Sequence, residues 1–258
     1  MEQITFERDG DVGIATIANP PLNLFGPQLI DDLEALLAEL ERTPLRGLLV
    51  CAAGEHFSAG ADAGALFQGR SAAEASALLG RFMTMLPRYE RLPYPTVAAV
   101  QGRCLAAGFE LVLASDLVVA GESAQMGLVE AVIGATPFGG GSQRLAARVG
   151  PARAREMIMT AGLYGAKKLE HWHVANRMVP DAELREQALA LTRQLANGPT
   201  KAHAITKAVI AAAVTQGIGA ADALLATLAP PLFETEDMRC GIASLLEHGP
   251  GKATFKGR

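Results

Sequence analysis

Three short apolar runs, at residues 46–52, 96–101 and 117–120, limit the fold more than any other feature. None has a polar face and each is too short for a helix, so each is predicted to be a strand buried on both sides. Between the turn at 19–23 and the first run, Leu29, Ile30, Leu33, Leu36, Leu37 and Leu40 recur at helical spacing. Between the first and second runs, a glycine-bearing turn with a short helix is expected from 56 to 67. A longer helix is expected over 72–91, stopped by Pro93 and Pro95. Another apolar helix precedes the third run. Strands that alternate with helices in this way predict an α/β layer architecture.

At the front, residues 3–8 and 12–18 read as two strands joined at Asp9, Gly10 and Asp11, and 124–127 reads as a further short strand. From Gly141 onward the pattern is almost wholly helical, with one strand candidate at 176–179. Asn197, Gly198 and Pro199 punctuate two of these helices. The division expected is an α/β core over 1–196 and a C-terminal helical lobe over 197–258.

The chain has 258 residues, half of them apolar, and a formal charge of −4. Its Lys and Arg are scattered, which argues against nucleic-acid binding. The apolar stretches are interrupted by charges such as Arg103, Asp116 and Lys207, so no membrane span is expected. The N-terminus has neither a basic region nor an apolar one of the secretory kind, and a cytoplasmic location follows as the expectation. Cys51, Cys104 and Cys240 lack metal-ligand spacing and are read as reduced core thiols.

Two carboxylates stand alone in apolar surroundings. Glu110 is the only charge from Leu105 to Ala114, and Glu130 the only one from Met126 to Gly134. A buried carboxylate is costly unless paired, hydrogen-bonded or protonated. Both are therefore candidate acid–base groups. The plainer alternatives are a core acid paired with Arg103 for Glu110, and an exposed loop acid for Glu130. Two segments also join small residues to the start of a helix: Cys51 to Asp62, and Ala98 to Glu110. Such turns allow close approach of a ligand to the backbone. Two N–H groups aimed at one point would make an oxyanion hole.

Taken in order, several motifs resemble the crotonase (enoyl-CoA hydratase/isomerase) superfamily. They are Phe57-Ser-Ala-Gly-Ala-Asp62, Ala99-Val-Gln-Gly102, Glu110-Leu111 with Ser115-Asp116, Met126-Gly-Leu-Val-Glu130, Gly139-Gly-Gly-Ser-Gln-Arg-Leu145 and Ala175-Asn-Arg-Met-Val-Pro180. The segments from Phe233 to Met238 and from Thr254 to Arg258 also fit, so the resemblance covers essentially the whole chain.

The resemblance implies a core of repeated ββα turns in two sheets, with C-terminal helices that assemble a homotrimer or a dimer of trimers. It implies an acyl-CoA thioester as substrate and partner, no metal and no separate cofactor. The N–H groups of Ala61 and Ala107 would form the oxyanion hole. Glu110 would hold and deprotonate water, and Glu130 would protonate the α-carbon. CoA would run along Ala59, Gly60, Ala61, Asp62, Ala63, Gly64 and Leu66, with Ala107 opposite. The activity implied is hydration of a 2-enoyl-CoA. A double-bond isomerase that uses Glu130, or a catalytically impaired acyl-CoA binder, is the alternative.

The chain departs from the family pattern at several positions. Ala106-Ala107 stands where Gly-Gly is frequent, and at negative φ alanine keeps its N–H free. Gly64 and His248 stand where basic residues are frequent near CoA, leaving Lys252 or Lys256 as substitutes. Phe138 stands where many hydratases have Gly, and its ring is expected to narrow the acyl pocket. Asp62 is read mainly as a helix N-terminal acid, His56 as a contact at best, and Gly139–Gly141 as a packing turn. His171 and His173 are spaced i,i+2 and are not expected to bind a metal.

Overall fold

In the computed structural model, which describes residues 1–258, the chain forms β1 (Ile4–Asp9), β2 (Val12–Ile17), α1 (Pro27–Leu40), β3 (Gly47–Ala52), α2 (Ala63–Leu66), α3 (Ala72–Glu90) and β4 (Thr96–Val100). There follow β5 (Arg103–Leu105), α4 (Ala107–Leu113), β6 (Leu117–Gly121), β7 (Gln125–Gly127), α5 (Gly141–Val149) and α6 (Pro151–Met159). The remainder is β8 (Tyr164–Gly165), α7 (Ala166–His171), β9 (Arg177–Val179), α8 (Leu184–Ala196), α9 (Thr200–Gln216), α10 (Ile218–Leu228) and α11 (Glu236–His248).

Six strands form one sheet in the order β1-β2-β3-β4-β6-β9, and β5-β7-β8 form a second. Only the β1–β2 pair is antiparallel in the larger sheet. The α/β architecture expected from the apolar runs is the one observed, because both faces of this sheet are covered. Leu48, Val50, Ala98 and Val100 point into a core cluster shared with α1 and α3. Their neighbours Leu49, Cys51, Val97 and Ala99 point the other way, against Leu184, Ala188, Leu191 and Ala196 of α8. Alternation along a pleated strand thus divides the core into two layers.

Several local expectations change. The short helix over 56–67 shrinks to α2, because Ser58 and Ala61 bridge in parallel to Cys104 and Phe25 and keep 58–61 out of the helix. The two-residue strand β8 exists only through its pairing with β7, and its own sequence does not announce it. Cys51 and Cys104 are buried free thiols, but Cys240 is exposed on α11.

The C-terminal helices are fastened in place by charged side chains. Arg46 donates to Thr200 Oγ1 (3.0 Å), to the Gly198 carbonyl (2.9 Å) and to the Phe255 carbonyl, 209 residues along the chain (3.1 Å). Lys207 of α9 pairs with Asp116 at 2.7 Å. The Asp237 carboxylate accepts the N–H groups of Lys256 (2.6 Å) and Gly257 (2.8 Å). Ile210, Val214, Ile218, Phe233 and Leu246 are left exposed on this part. No helix is long and apolar enough to cross a membrane.

Candidate active site

The second sheet collects the candidate residues. Ser58 N–H donates to the Arg103 carbonyl (3.0 Å), and Leu105 N–H returns a bond to the Ser58 carbonyl (2.9 Å). The segment that carries Ala61 is therefore laced to the one that carries Ala107. Strand β5 also pairs in parallel with β7, Leu105 opposite Gly127, which sets the Glu130 segment alongside. Ala59, Ala61, Ala63, Ala107, Glu110, Glu130 and Phe138 all line one cleft of about 160 Å³.

Ala107 is the first residue of α4, so its N–H has no acceptor within the helix. The Ala61 N–H has no hydrogen-bond partner either. Ala106 does not share this freedom, because its N–H donates to the Gly127 carbonyl at 2.9 Å. Its φ is +47°, in the region that favours glycine, so the alanine departs from the negative φ expected of it. A residue held there costs on the order of 1–3 kcal/mol, offset here by the pairing around it.

Glu110 lies on α4, every residue of which is buried. Its Oε1 accepts two backbone N–H groups, from Gly139 and Gly141, each at 2.8 Å. The exposed Arg103 does not pair with it. The basic group that acts on it is Arg144, which forks onto Glu90 (2.7 and 2.6 Å) and donates to the carbonyls of Gly139 (3.0 Å) and Gly140 (3.3 Å). Burial raises the Glu110 pKa above the usual carboxylate value, opposed by the Gly141 and Gly139 N–H groups and by the charge of Arg144.

The turn at 139–141 thus does more than pack. A Cβ on Gly139 would lie 2.9 Å from Glu110 Oε2, and one on Gly141 would lie 2.9 Å from Glu110 Cγ. Gly140 holds φ +91° between them. Sequence reasoning missed this role. The available signal was a glycine triplet downstream of two lone carboxylates.

Glu130 begins a single 3₁₀ turn, Glu130–Ile133, and is only 9% exposed, unlike an ordinary loop acid. Its Oε2 is buried without a hydrogen-bond partner. Burial pushes its pKa up to about 7, against the pull of its own backbone N–H, and the charge of Glu110 adds to the rise.

Other candidates fall outside the cleft lining. Asp62 caps α2 through Ala65 N–H at 3.0 Å. Gly60 and Gly64 belong to the same segment without lining the cleft. The side chain of Leu66 is 1% exposed and packs in the core, which leaves only its backbone to face a ligand. No three His, Cys, Asp or Glu side chains are grouped to hold a metal ion.

The family profile for enoyl-CoA hydratase/isomerase matches residues 7–258. The chain belongs to the enoyl-CoA hydratase/isomerase family. A probable enoyl-CoA hydratase of Bacillus subtilis (strain 168) is 30% identical over 259 residues, covering 100% of both chains. A carnitinyl-CoA dehydratase of Escherichia coli (strain SMS-3-5) is 34% identical over 210 residues, covering 81% of this chain and 80% of the relative. Among solved structures, an enoyl-CoA hydratase subunit of Geobacillus kaustophilus HTA426 superposes with a TM-score of 0.93 at 31% identity, covering 99% of this chain and 98% of the other. The fold is accordingly that of the crotonases, and this family acts on acyl-CoA thioesters.

Proposed function

We propose that the protein is an enoyl-CoA hydratase that adds water across the 2,3 double bond of a 2-enoyl-CoA. The observation that carries this reading is the contrast between two carboxylates on one cleft. Glu110 is held by N–H donors that favour its anion, and Glu130 is desolvated and poised near neutrality. That is the division a general base and a general acid require.

In this mechanism the thioester oxygen accepts the N–H groups of Ala61 and Ala107. Polarisation of the thioester makes C3 electrophilic. Glu110 removes a proton from water as its oxygen bonds to C3, and charge gathers on the thioester oxygen. Glu130 then delivers its proton to C2, and the carbonyl re-forms. The water's second hydrogen stays on the new hydroxyl, and proton exchange between the carboxyl groups and solvent restores the starting state. Each oxyanion donor is worth about 2.7–4 kcal/mol to such a transition state. No metal or separate cofactor takes part in this scheme.

The test is incubation with crotonyl-CoA and longer 2-enoyl-CoAs, read by loss of ultraviolet enoyl-thioester absorbance and gain of one water in mass. No change with any of them overturns the proposal. Shift of a 3-enoyl-CoA double bond without hydration would identify the isomerase instead, a reaction for which Glu130 alone could carry the proton. Binding without either reaction would identify an acyl-CoA binder. We infer as well that the apolar residues exposed on the C-terminal helices join copies of the chain as a trimer or a dimer of trimers. A monomer by sedimentation at micromolar concentration overturns that part.

A further inference from the structure

The lining of the cleft is of two kinds. One is polar, with the backbone of Ala61 and Ala107 and the two carboxylates. The other is made by Phe67, Leu79, Phe82, Val132, Ile133 and Phe138, none of which has a polar side-chain atom. A cationic tail would find no carboxylate along the cleft besides Glu110 and Glu130.

Across this apolar part, the rings of Phe67 and Phe138 meet edge to face, centroids 5.8 Å apart and planes at 71°. Phe67 follows α2, on the segment that carries Ala61. Phe138 immediately precedes Gly139, whose N–H holds Glu110. The two rings therefore join the oxyanion wall to the wall that supports the base. An edge-to-face contact between separate segments is geometrically specific, and a tail that passes between the rings must break it.

We propose that the Phe67–Phe138 pair is a chain-length stop that restricts the enzyme to short, apolar 2-enoyl thioesters. This rests on the acyl-CoA reading above and adds the substrate class to it. A tail that ends before the rings leaves their contact intact. A longer tail gains burial only by parting them.

Saturated acyl-CoAs test the stop without any chemistry. In an open apolar groove each buried methylene tightens binding by about fourfold. Decanoyl-CoA should bind the wild-type protein less than tenfold more tightly than butyryl-CoA, or more weakly, by calorimetric Kd. Phe67→Ala and Phe138→Ala should each shift the ratio at least tenfold in favour of decanoyl-CoA. The double variant should resemble the single ones, since either ring opens the same passage. Phe67→Leu and Phe138→Leu keep apolar bulk without a ring and should move the ratio in the same direction by a smaller factor. Decanoyl-CoA binding more than tenfold tighter to the wild type, or a ratio unmoved by either ring's removal, overturns the stop. Tight butyryl-CoA binding with no turnover of crotonyl-CoA would sink the hydratase reading and leave the stop standing.

Discussion

The two sides of the cleft present similar carboxylates on dissimilar supports. Glu110 is embedded in a fully buried helix, and one of its oxygens is clamped by two N–H groups from a turn that Arg144 and Glu90 brace. Glu130 rises from a lone 3₁₀ turn whose next residues, Val132 and Ile133, are exposed, and one of its oxygens has no partner at all. Desolvation acts on both, but hydrogen bonds to the anion oppose it strongly at only one of them. In the proposed hydration, environment rather than residue type separates the base from the acid.

The largest effects should come from removing either member of this pair. Glu110→Gln and Glu130→Gln should each lower kcat for 2-enoyl-CoA hydration by about 10²–10⁴-fold with Kd for butyryl-CoA little changed. Steady-state rates beside calorimetric titrations give the answer, and wild-type rates in both variants would falsify the assignment of roles. A subtler break is Gly141→Ala. Its added Cβ would crowd Glu110 Cγ at 2.9 Å and Oε1 at 3.0 Å, so the base must move. A displacement approaching 1 Å costs about 10²-fold in kcat, which sets the upper end of the expected loss.

The contrast also predicts a pH profile. The proposed hydration requires Glu130 to carry its proton, so kcat/KM should fall as pH rises past about 7, the value to which burial lifts this carboxyl. The acid limb belongs to protonation of Glu110. A rate that stays flat from pH 6 to 9 argues against Glu130 as the donor. Next in size is Arg144→Lys, which keeps the charge but loses the fork that ties Glu90 to the 139–140 carbonyls. A fall of about threefold to tenfold in kcat is expected, with a shifted acid limb that a merely structural role would not produce.

The smallest effect concerns stability. Between its unfolded value of 4.5 and about 7, folded Glu130 holds a proton that the unfolded chain has released. Folding stability from this group therefore falls as pH rises through that window. Glu130→Gln has no such penalty. Its folding stability, followed by thermal or denaturant unfolding, should exceed that of the wild type at pH 8 by on the order of 1 kcal/mol, and the gap should close near pH 5. A variant less stable than the wild type at pH 8 would remove burial as the cause of the raised pKa.

What could be read from the sequence follows the same line between side chains and backbone. The two-sided apolar runs declared β3, β4 and β6 of the larger sheet, and isolation among apolar residues drew attention to Glu110 and Glu130. These are side-chain signals. The clamp on Glu110 is made by main-chain N–H groups of glycines, and a main-chain donor looks alike in every residue. The left-handed turn at Ala106 was hidden because its occupant is not glycine. Strand β8 was hidden because two residues have no periodicity to recognise. The inward side chain of Leu66 was hidden because a helix only one turn long has no periodicity to separate its two sides. Arg144 drew no notice, since its partner Glu90 lies 54 residues away.

Arg46 has a consequence for how the molecule is made. Strand β3 begins beside it early in synthesis, yet its acceptors at Gly198, Thr200 and Phe255 emerge only after most of the chain has been translated. Until then a guanidinium at the margin of the sheet has only Asp11 nearby, at 3.5 Å. The nascent protein can assemble its first layers vectorially, but this edge is sealed last, so a chain stalled short of Phe255 would expose an unfinished seam to chaperones and proteases.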